Sequence, residues 1–453
     1  MRKAIETLFA ALICACVWGA ASAQQSKKIE VNFRETELKN GLRVITVEDH
    51  SAPVIALTVT YNVGSRDERK GRTGFAHLFE HMMFQGSENV GKGEHFYRVF
   101  NNGGEMNGAT NEDRTTYFEM LPSNQLDLLL FLEADRMRSL EITQENLDNQ
   151  RNTVQEERRL RVDNRPYGKS DEVMQELLYD NFAYKHTTIG SMEDLNAATV
   201  DDVKAFFKIY YAPNNAVLTL VGDFSTGAAL ARIRKYFEDI PRQPAPPAVD
   251  MTEPEQKSER RVTVEDALAR LPRVEIAFKA VPGETKDFYA LWLLSRALQG
   301  GQSSRLYQKL VRDREVLVGV GGTITSKRGA GALYFSATLK AGQKVADVEA
   351  AIYEEIERIK KDSISEPELE KGKEIQRRLF IAAKSNSLAT AVTLGMYAVD
   401  FGDPHLINTR FSRFAAVTTE DVRRVANKYL VQSNRTVVVT TPKPKKADVS
   451  AKQ

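Results

Sequence analysis

Residues 199–221 read TVDDVKAFFKIYYAPNNAVLTLV and residues 418–440 read TTEDVRRVANKYLVQSNRTVVVT, so one pattern occurs twice, 219 residues apart (418 minus 199). In both copies a threonine and an acidic first turn begin an amphipathic stretch, which leads through a polar turn into an apolar run. The recurring pairs are Thr199 and Thr418, Asp202 and Asp421, Val203 and Val422, Tyr210 and Tyr429, and Asn215 and Asn434. The sequence therefore predicts two halves, each a copy of one unit of helix and strand.

Several segments of the first half are typical of strands, and helical patterns fall between them. These segments are residues 44–47, 54–61, 115–120 and 216–221. Because several of them alternate apolar and polar residues, they favour a largely antiparallel sheet with helices on one face. The predicted fold class is α+β, with two homologous domains.

A proline-rich stretch separates the two halves. Five prolines fall between Pro241 and Pro254, and a charged run follows over residues 255–261. This composition is typical of an extended interdomain linker, and a long surface loop within one domain is the alternative. We therefore predict a first domain over residues 24–240, a linker over 241–261, a second domain over 262–442 and a disordered tail over 443–453.

The composition excludes several classes of protein. Hydrophobic residues make up 42% and charged residues 27% of the 453 residues, which fits neither a disordered nor a membrane protein. A formal net charge of +2 leaves no basic footprint for nucleic acid. The chain is predicted to fold as a globular protein that does not bind nucleic acid.

The first 23 residues have the pattern of a signal peptide. Arg2 and Lys3 precede an apolar run, and the segment ends in Ala-Ser-Ala at residues 21–23. The apolar run is shorter than the roughly 20 residues that a spanning helix needs. We expect a periplasmic or secreted protein without an integral membrane segment after signal cleavage; lipidation at Cys16 is the alternative. Because Cys14 and Cys16 both lie in this segment, any metal in the mature chain must be held by His, Asp or Glu.

Residues 74–86, GFAHLFEHMMFQG, have the pattern of a buried helix with one polar face. His77 and His81 are four residues apart and share that face, and Glu80 can reach the same point. Burying three ionisable groups is costly unless they satisfy one another or hold an ion. The two interpretations are therefore a satisfied polar patch and a metal site.

Two histidines and one carboxylate, with a fourth position open, are a ligand set of catalytic zinc. The charged helical stretch over residues 145–161 offers Glu156 and Glu157, and only one can face the metal because neighbouring helical residues point about 100° apart. Glu80 then becomes a general base that takes a proton from an attacking water. The order His-x-x-Glu-His inverts the more familiar zinc peptidase motif.

Segments along nearly the whole mature chain resemble the pitrilysin (insulinase-type) metallopeptidase family. They are HLFEH at 77–81, GSRDE at 64–68, NNGGEMNGAT at 101–110, RTTYFEMLP at 114–122, NTVQEERR at 152–159 and APNNAVLTLVGDF at 212–224. The resemblance implies a zinc endopeptidase with zinc held by His77, His81 and Glu157 in the first domain, and with Glu80 as base. It also implies a half-size, two-domain subunit similar to those of mitochondrial processing peptidase, which pair around a chamber for unfolded peptides.

The resemblance further implies that a peptide substrate adds as a strand to a sheet edge within residues 107–120, contacting Asn107, Gly108 and Ala109. An alternating segment such as residues 115–119 can support strand addition through main-chain hydrogen bonds. A sheet strand without any role in substrate binding is the alternative.

The chain departs from the family pattern at two positions. Gln150 stands where a second glutamate often occurs, seven residues before Glu157, and an amide there would alter the tuning of the ligands. The segment over residues 300–320 resembles one that supplies an arginine and a tyrosine to the substrate, and here Arg312 is present but Gly319 replaces the tyrosine. We therefore expect a related partner subunit to complete the site, in a heterodimer or a homodimer.

Two other classes compete with the enzyme: a non-catalytic assembly subunit and a zinc-carrying binding protein. The intact set of His77, His81, Glu157 and Glu80 disfavours the first, and the second has no need of Glu80. The other histidines, which are His50, His95, His186 and His405, are interpreted as exposed or locally bonded and receive no role.

Overall fold

The computed structural model describes residues 30–443. The chain divides into a unit that ends at Asn32 and a second unit that begins at Phe33. All helices and strands of the described residues lie in the second unit. The predicted signal peptide over residues 1–23, with Cys14 and Cys16, and the predicted tail beyond Lys443 lie outside the described residues. Between residues 30 and 443 no helix is both long and apolar enough to cross a membrane.

Eleven strands are found in the described residues. They are β1 (Arg34–Glu37), β2 (Arg43–Glu48), β3 (Val54–Tyr61), β4 (Glu105–Thr110), β5 (Thr115–Pro122), β6 (Ala216–Gly222), β7 (Arg260–Asp266), β8 (Arg273–Lys279), β9 (Leu317–Gly321), β10 (Ala332–Leu339) and β11 (Arg435–Pro442). The four strands predicted for the first half are present as β2, β3, β5 and β6. Strand β1 was not predicted, and β4 overlaps the sheet edge that the resemblance implied within residues 107–120.

The same residues form fifteen α-helices. In the first half they are α1 (Phe75–Met82), α2 (Glu94–Asn101), α3 (Leu126–Arg138), α4 (Gln144–Arg158), α5 (Gly168–Leu178), α6 (Phe182–Lys185), α7 (Met192–Asn196), α8 (Val200–Tyr210) and α9 (Thr226–Phe237). In the second half they are α10 (Lys286–Gln299), α11 (Val345–Asp362), α12 (Glu366–Ala382), α13 (Ser387–Asp400), α14 (Leu406–Ala415) and α15 (Thr419–Tyr429).

The strands form two sheets of the same topology. The first sheet has the order β1-β2-β6-β3-β5-β4 and the second has the order β7-β11-β8-β10-β9. In each sheet one pair is parallel, β2 with β6 and β7 with β11, and the other pairs are antiparallel. Leaving β1 aside, every strand of the first sheet has a counterpart in the second. The prediction of an α+β fold with two similar, mainly antiparallel sheets is confirmed.

The repeated sequence pattern forms the same local structure in both halves. Thr199 and Thr418 cap helices α8 and α15 in reciprocal capping boxes with Asp202 and Asp421. After each helix, an asparagine side chain donates to the carbonyl of the tyrosine five residues earlier: Asn215 to Tyr210 at 2.8 Å and Asn434 to Tyr429 at 2.9 Å. The recurring residues are therefore those that shape the helix start and the turn into the strand.

Each half has its own hydrophobic core. The first includes side chains from the first sheet and from α1, α3, α8 and α9, and the second includes side chains from the second sheet and from α10, α11 and α15. Residues 241–259 contain no helix or strand, and β7 begins at Arg260, within the predicted linker. The domain boundaries themselves stay a prediction.

The two halves exchange one helix each, which the sequence did not predict. Helix α13 of the second half packs on β3 and β6 of the first sheet, and α5 of the first half packs on β8 and β11 of the second. Gly395 in α13 permits this approach, because a Cβ at that position would lie 2.6 Å from the Thr60 hydroxyl. Each sheet therefore has helices on both faces, and one of its layers comes from the other half. The prediction of helices on only one face of each sheet is wrong, because the second layer is supplied by a distant part of the chain.

Candidate active site

Helix α1 presents a polar face to a cavity of about 680 Å³. His77, Glu80 and His81 line this cavity, and the remaining side chains of the helix are largely buried in the first core. The carboxylate of Glu68 accepts hydrogen bonds from two backbone N–H groups in the first turn, at 2.8 and 2.9 Å. Glu68 therefore fixes the start of the helix by accepting from N–H groups that have no partner within it.

The structure brings His77, His81 and Glu157 together across helices α1 and α4. The Oε2 atom of Glu157 lies 3.6 Å from Nε2 of His77 and 3.4 Å from Nε2 of His81. Tetrahedral zinc with bonds of roughly 2.0–2.1 Å separates its ligand atoms by about 3.3 Å, so these spacings match the donor set of zinc. Glu156 points elsewhere, because its side chain is 65% exposed and pairs with Arg159.

The charges of these groups also suit a cation. Burial and the neighbouring His81 lower the pKa of His77 to about 4, so its ring is neutral at pH 7 and has a lone pair to share. The hydrogen bond with His81 lowers the pKa of Glu157, which stays ionised. Arg161, one turn further along the chain, contacts the other carboxylate oxygen of Glu157 at 2.7 Å and leaves Oε2 to the histidines. The residues present therefore fit a zinc ion.

Glu80 lies beside this donor set but is not one of the three residues whose ligand atoms converge. Its Oε2 atom accepts a hydrogen bond of 2.6 Å from the Thr110 hydroxyl. Burial raises the pKa of Glu80, which suits a group that accepts a proton near neutral pH. A Cβ at Gly108 would lie 3.0 Å from Cγ of Glu80, so strand β4 passes directly over the carboxylate.

Strand β4 forms one wall of the cavity and one edge of the first sheet. Asn107, Gly108 and Ala109 line the cavity from this strand. Because β4 pairs only with β5, its outer main-chain groups are open to another strand. The prediction that the edge extends from Asn107 to Met120 is wrong for its second part, since β5 lies between β3 and β4 and has no free edge.

Two other predicted residues lie away from the cavity. Gln150 is buried in α4, where its side-chain amide donates to Asn149 at 2.6 Å. Arg312 is exposed in the second half, and its guanidinium donates to Gln308 at 2.8 Å. Neither is among the residues that line the cavity of His77. Gly319 lies in β9, the edge strand of the second sheet.

A buried charged cluster behind the cavity was missed. His95 is only 4% exposed and its Nε2 lies 2.5 Å from Oε1 of Glu119, so its interpretation as exposed or locally bonded is wrong. Glu133 and Arg136 complete the cluster, and the Arg136 guanidinium lies 5.2 Å from the ring centre of Phe84, which lines the cavity. The polar residue Glu119 in a strand that is otherwise buried was the signal that could have revealed it.

The chain belongs to the insulinase (M16) peptidase family. Residues 43–192 match the model described as "Insulinase (Peptidase family M16)", and residues 197–376 match "Peptidase M16 inactive domain". This assignment agrees with the resemblance found in the sequence and places the cavity residues on α1, β4 and α4 within the first matched segment.

Relatives over most of the chain carry the names of zinc proteases. The zinc protease PqqE of Helicobacter pylori is 32% identical over 408 residues, covering 89% of this chain and 92% of its own length. A probable mitochondrial-processing peptidase subunit beta of Arabidopsis thaliana is 23% identical and covers 90% of this chain and 78% of its own length. The crystal structure of a protease from Helicobacter pylori is 31% identical, has a TM-score of 0.87, and covers 91% of this chain and all (100%) of that one.

Proposed function

We propose that this protein is a zinc-dependent endopeptidase that hydrolyses peptides or unfolded polypeptides. One observation carries the proposal: a single oxygen of Glu157 lies within 3.6 Å of Nε2 of both His77 and His81, with Glu80 in the same cavity. When bound there, zinc would polarise a peptide carbonyl and make a water molecule more acidic. The names of the relatives support the class of reaction.

Glu80 is the base in this mechanism. Its carboxylate accepts a proton from the attacking water and then returns it to the amine of the departing peptide. The Thr110 hydroxyl holds one carboxylate oxygen at 2.6 Å and so fixes the direction of the other. Burial of Glu80 makes proton acceptance at neutral pH more favourable than for an exposed carboxylate.

The open edge of β4 supports a peptide as the substrate. An extended chain that pairs with Asn107, Gly108 and Ala109 passes over Glu80, which lies below Gly108. Main-chain pairing of this kind selects extended, unfolded segments and only weakly selects sequence. Phe84 and Phe96 in the same cavity offer an apolar surface to one substrate side chain.

We further propose that the protein is exported to the periplasm or secreted after cleavage at Ala23. Determining the N-terminal residue of the protein isolated from its native compartment tests this step. Gln24 at the N terminus is the expected result, and a mature chain that still begins at Met1 contradicts it.

A partner subunit is part of the proposal. Arg312 lies outside the cavity and Gly319 replaces the expected tyrosine, so this chain alone provides an incomplete clamp for the substrate. A homologous subunit, or a second copy of this chain, would supply the missing groups. Full activity of the isolated monomer on an unfolded peptide, equal to that of the co-purified complex, would contradict this part.

The placement of Arg312 outside the cavity and the glycine at position 319 favour a second candidate function, a non-catalytic assembly subunit. The substitution Glu80→Gln separates the two, because it removes the base but keeps the size of the side chain. An enzyme should lose about 10²- to 10⁴-fold in kcat and keep its zinc content. A wild-type complex without zinc-dependent peptidase activity, or one that Glu80→Gln leaves unchanged, supports the assembly subunit instead.

A further inference from the structure

The turn over residues 111–114 closes the hairpin of β4 and β5 at the end nearest Glu80. Thr110 is the last residue of β4, is paired with Thr115, and donates its hydroxyl to Glu80 at 2.6 Å. The Thr110 hydroxyl also lies 3.2 Å from that of Thr115. Only the peptide bond between Thr110 and Asn111 separates the turn from the residue that holds the base.

Three consecutive residues of this turn contact the second half of the chain. Glu112 forms an ion pair with Lys327 at 2.8 Å. Asp113 accepts a hydrogen bond of 3.0 Å from the N–H of Arg328. Arg114 forms an ion pair with Asp400. Lys327 and Arg328 precede β10, and Asp400 is the last residue of α13. All three residues between Asn111 and Thr115 therefore contact the second half.

The contacts are buried, and the second-half loop that makes them is held in place by residues of both halves. Lys327 is 4% exposed and its ammonium lies 4.8 Å from the ring centre of Tyr184. The Tyr184 hydroxyl donates to Asp113 at 2.8 Å and accepts from the N–H of Gly329 at 2.9 Å. The Lys327 carbonyl accepts a hydrogen bond of 2.8 Å from Gly283. The loop that reaches the turn is therefore held by Tyr184 of the first half and by Gly283 of the second half.

The first half holds the opposite side of the turn. The N–H groups of Ser65 and Arg66 donate to the carbonyls of Asn111 and Glu112 at 3.1 and 3.0 Å. The Arg66 side chain pairs with Asp113 at 3.1 Å. The turn is thus enclosed between the two halves, and contacts from both halves set its position at the end of β4.

We propose that the second half of the chain positions the catalytic base, with Lys327 and Asp400 as positioning residues that act through turn 111–114 and Thr110. This inference rests on the proposed function, since it assigns a role in the same reaction. The second half then contributes to catalysis without contacting the substrate, because small displacements of a catalytic group reduce turnover strongly.

The test is Lys327→Met in the full chain with whatever subunit co-purifies. The variant removes the charge and keeps the apolar stem. We expect kcat on an unfolded peptide to fall about tenfold while KM changes by less than about twofold, with unchanged zinc content. Hydrogen exchange at the amides of residues 105–110 should accelerate. Asp400→Asn is the second variant and should change the same two readouts in the same direction.

Lys279→Met is the matched control. Lys279 is also a buried lysine, 8% exposed, and it also bridges the halves, through Asp180 and Glu253, but it does not contact the turn. The Lys279→Met variant should keep kcat within about twofold of the wild type and should leave hydrogen exchange of the β4 amides unchanged. Lys327→Arg should restore most of the kcat that Lys327→Met removes.

The pair with Glu112 allows a further check. If Lys327 acts through Glu112, the kcat loss of Glu112→Gln combined with Lys327→Met should be smaller than the product of the single losses. The positioning role alone is overturned if the wild type has Glu80-dependent peptidase activity and both Lys327→Met and Asp400→Asn keep its kcat and its hydrogen exchange in β4. Absence of any Glu80-dependent activity in the wild type instead overturns the proposed function.

Discussion

Helix α1 of the first half and helix α10 of the second half follow equivalent strands, β3 and β8, but they carry different kinds of side chain. Helix α1 places His77, Glu80 and His81 at a cavity. Most of α10 is apolar and buried, and its buried polar residues are Ser295 and Gln299. The side-chain amide of Gln299 donates to the backbone carbonyl of Tyr334 at 2.6 Å. The shared topology therefore builds the frame, and polar residues on α1 and α4 of the first half make the site.

The largest expected effect comes from removing the carboxylate that only the first half provides. Glu157→Gln should reduce zinc affinity by more than the roughly 10- to 100-fold loss typical of outer ligand partners, because it removes a ligand itself. Metal analysis after dialysis and a peptidase assay measure the loss. The adjacent variant Glu156→Gln should keep zinc and activity, because Glu156 is exposed and pairs with Arg159. Equal losses in both variants would contradict the assignment of Glu157.

The edge strands of the two sheets offer a second contrast, because each carries a glycine with different surroundings. A Cβ at Gly108 in β4 would lie 3.0 Å from Glu80, whereas a Cβ at Gly319 in β9 would have no atom within 4 Å. Gly108→Ala should therefore displace Glu80 and lower kcat about tenfold, with zinc retained. Gly319→Ala should leave kcat unchanged. Steady-state kinetics on both variants checks the difference, and full activity of Gly108→Ala would show that β4 does not constrain the base.

Two buried residues, one in each half, should contribute to stability with opposite dependence on pH. Burial, with the nearby charge of Asp171, raises the pKa of Glu275 in β8 to about 8, from an ordinary 4.5. The folded state then retains a proton that the unfolded state has lost, so stability falls as pH rises from about 4.5 to 8. Burial lowers the pKa of His95 to about 3, and this residue lowers stability as pH falls through 6.5.

Glu275→Gln tests the alkaline side of this contrast. The variant keeps the size of the side chain but cannot ionise, so its free energy of unfolding should decline less than that of the wild type between pH 6 and 9. Denaturant unfolding followed by the fluorescence of Trp292, which packs against the second core, measures it. If the free energy of unfolding depends on pH in the same way for the variant and the wild type, Glu275 does not titrate in this range.

The smallest expected effect concerns the threonine helix caps that both halves share. The hydroxyls of Thr199 and Thr418 accept the N–H of Asp202 and Asp421, both at 3.1 Å. Thr199→Ala and Thr418→Ala should each lower the free energy of unfolding by about 1 kcal/mol, and by similar amounts. Urea unfolding of both variants checks the equivalence of the two caps. A loss in one variant that is several times the loss in the other would break it.

The parts of the fold that the sequence predicts are those with local signatures. The threonine caps, the alternating strands and the four-residue spacing of His77 and His81 each act within one turn or one strand, so they can be recognised in the sequence. Strand β4 has no strand pattern of its own, because Asn107 and Gly108 are poor strand formers and an edge strand has less need of apolar residues. Only the family resemblance pointed to a sheet edge there. The choice of Glu157 over Glu156 required a resemblance, since both lie on one helix and its rotation is set by packing.

Contacts between distant segments could not be predicted. The partner of His95 is 24 residues away in another element, and neither residue belongs to a spaced motif. The side-chain amide of Gln150 donates to Asn149, and its expected influence on the ligands stays a prediction. The amphipathic pattern of a helix shows that one face is buried, but it does not identify the sheet that covers that face. For this reason the exchange of α5 and α13 between the halves was not visible in the sequence.

That exchange has a consequence for the order in which the chain is made. When the ribosome has completed residue 240, β3 and β6 are available to pair, but residues 387–400, which cover one face of their sheet, have not been synthesised. The nascent first half therefore leaves one face of its sheet, which includes Thr58 and Thr60, uncovered until some 150 further residues follow. Acquisition of the native state during translation depends on the last quarter of the chain.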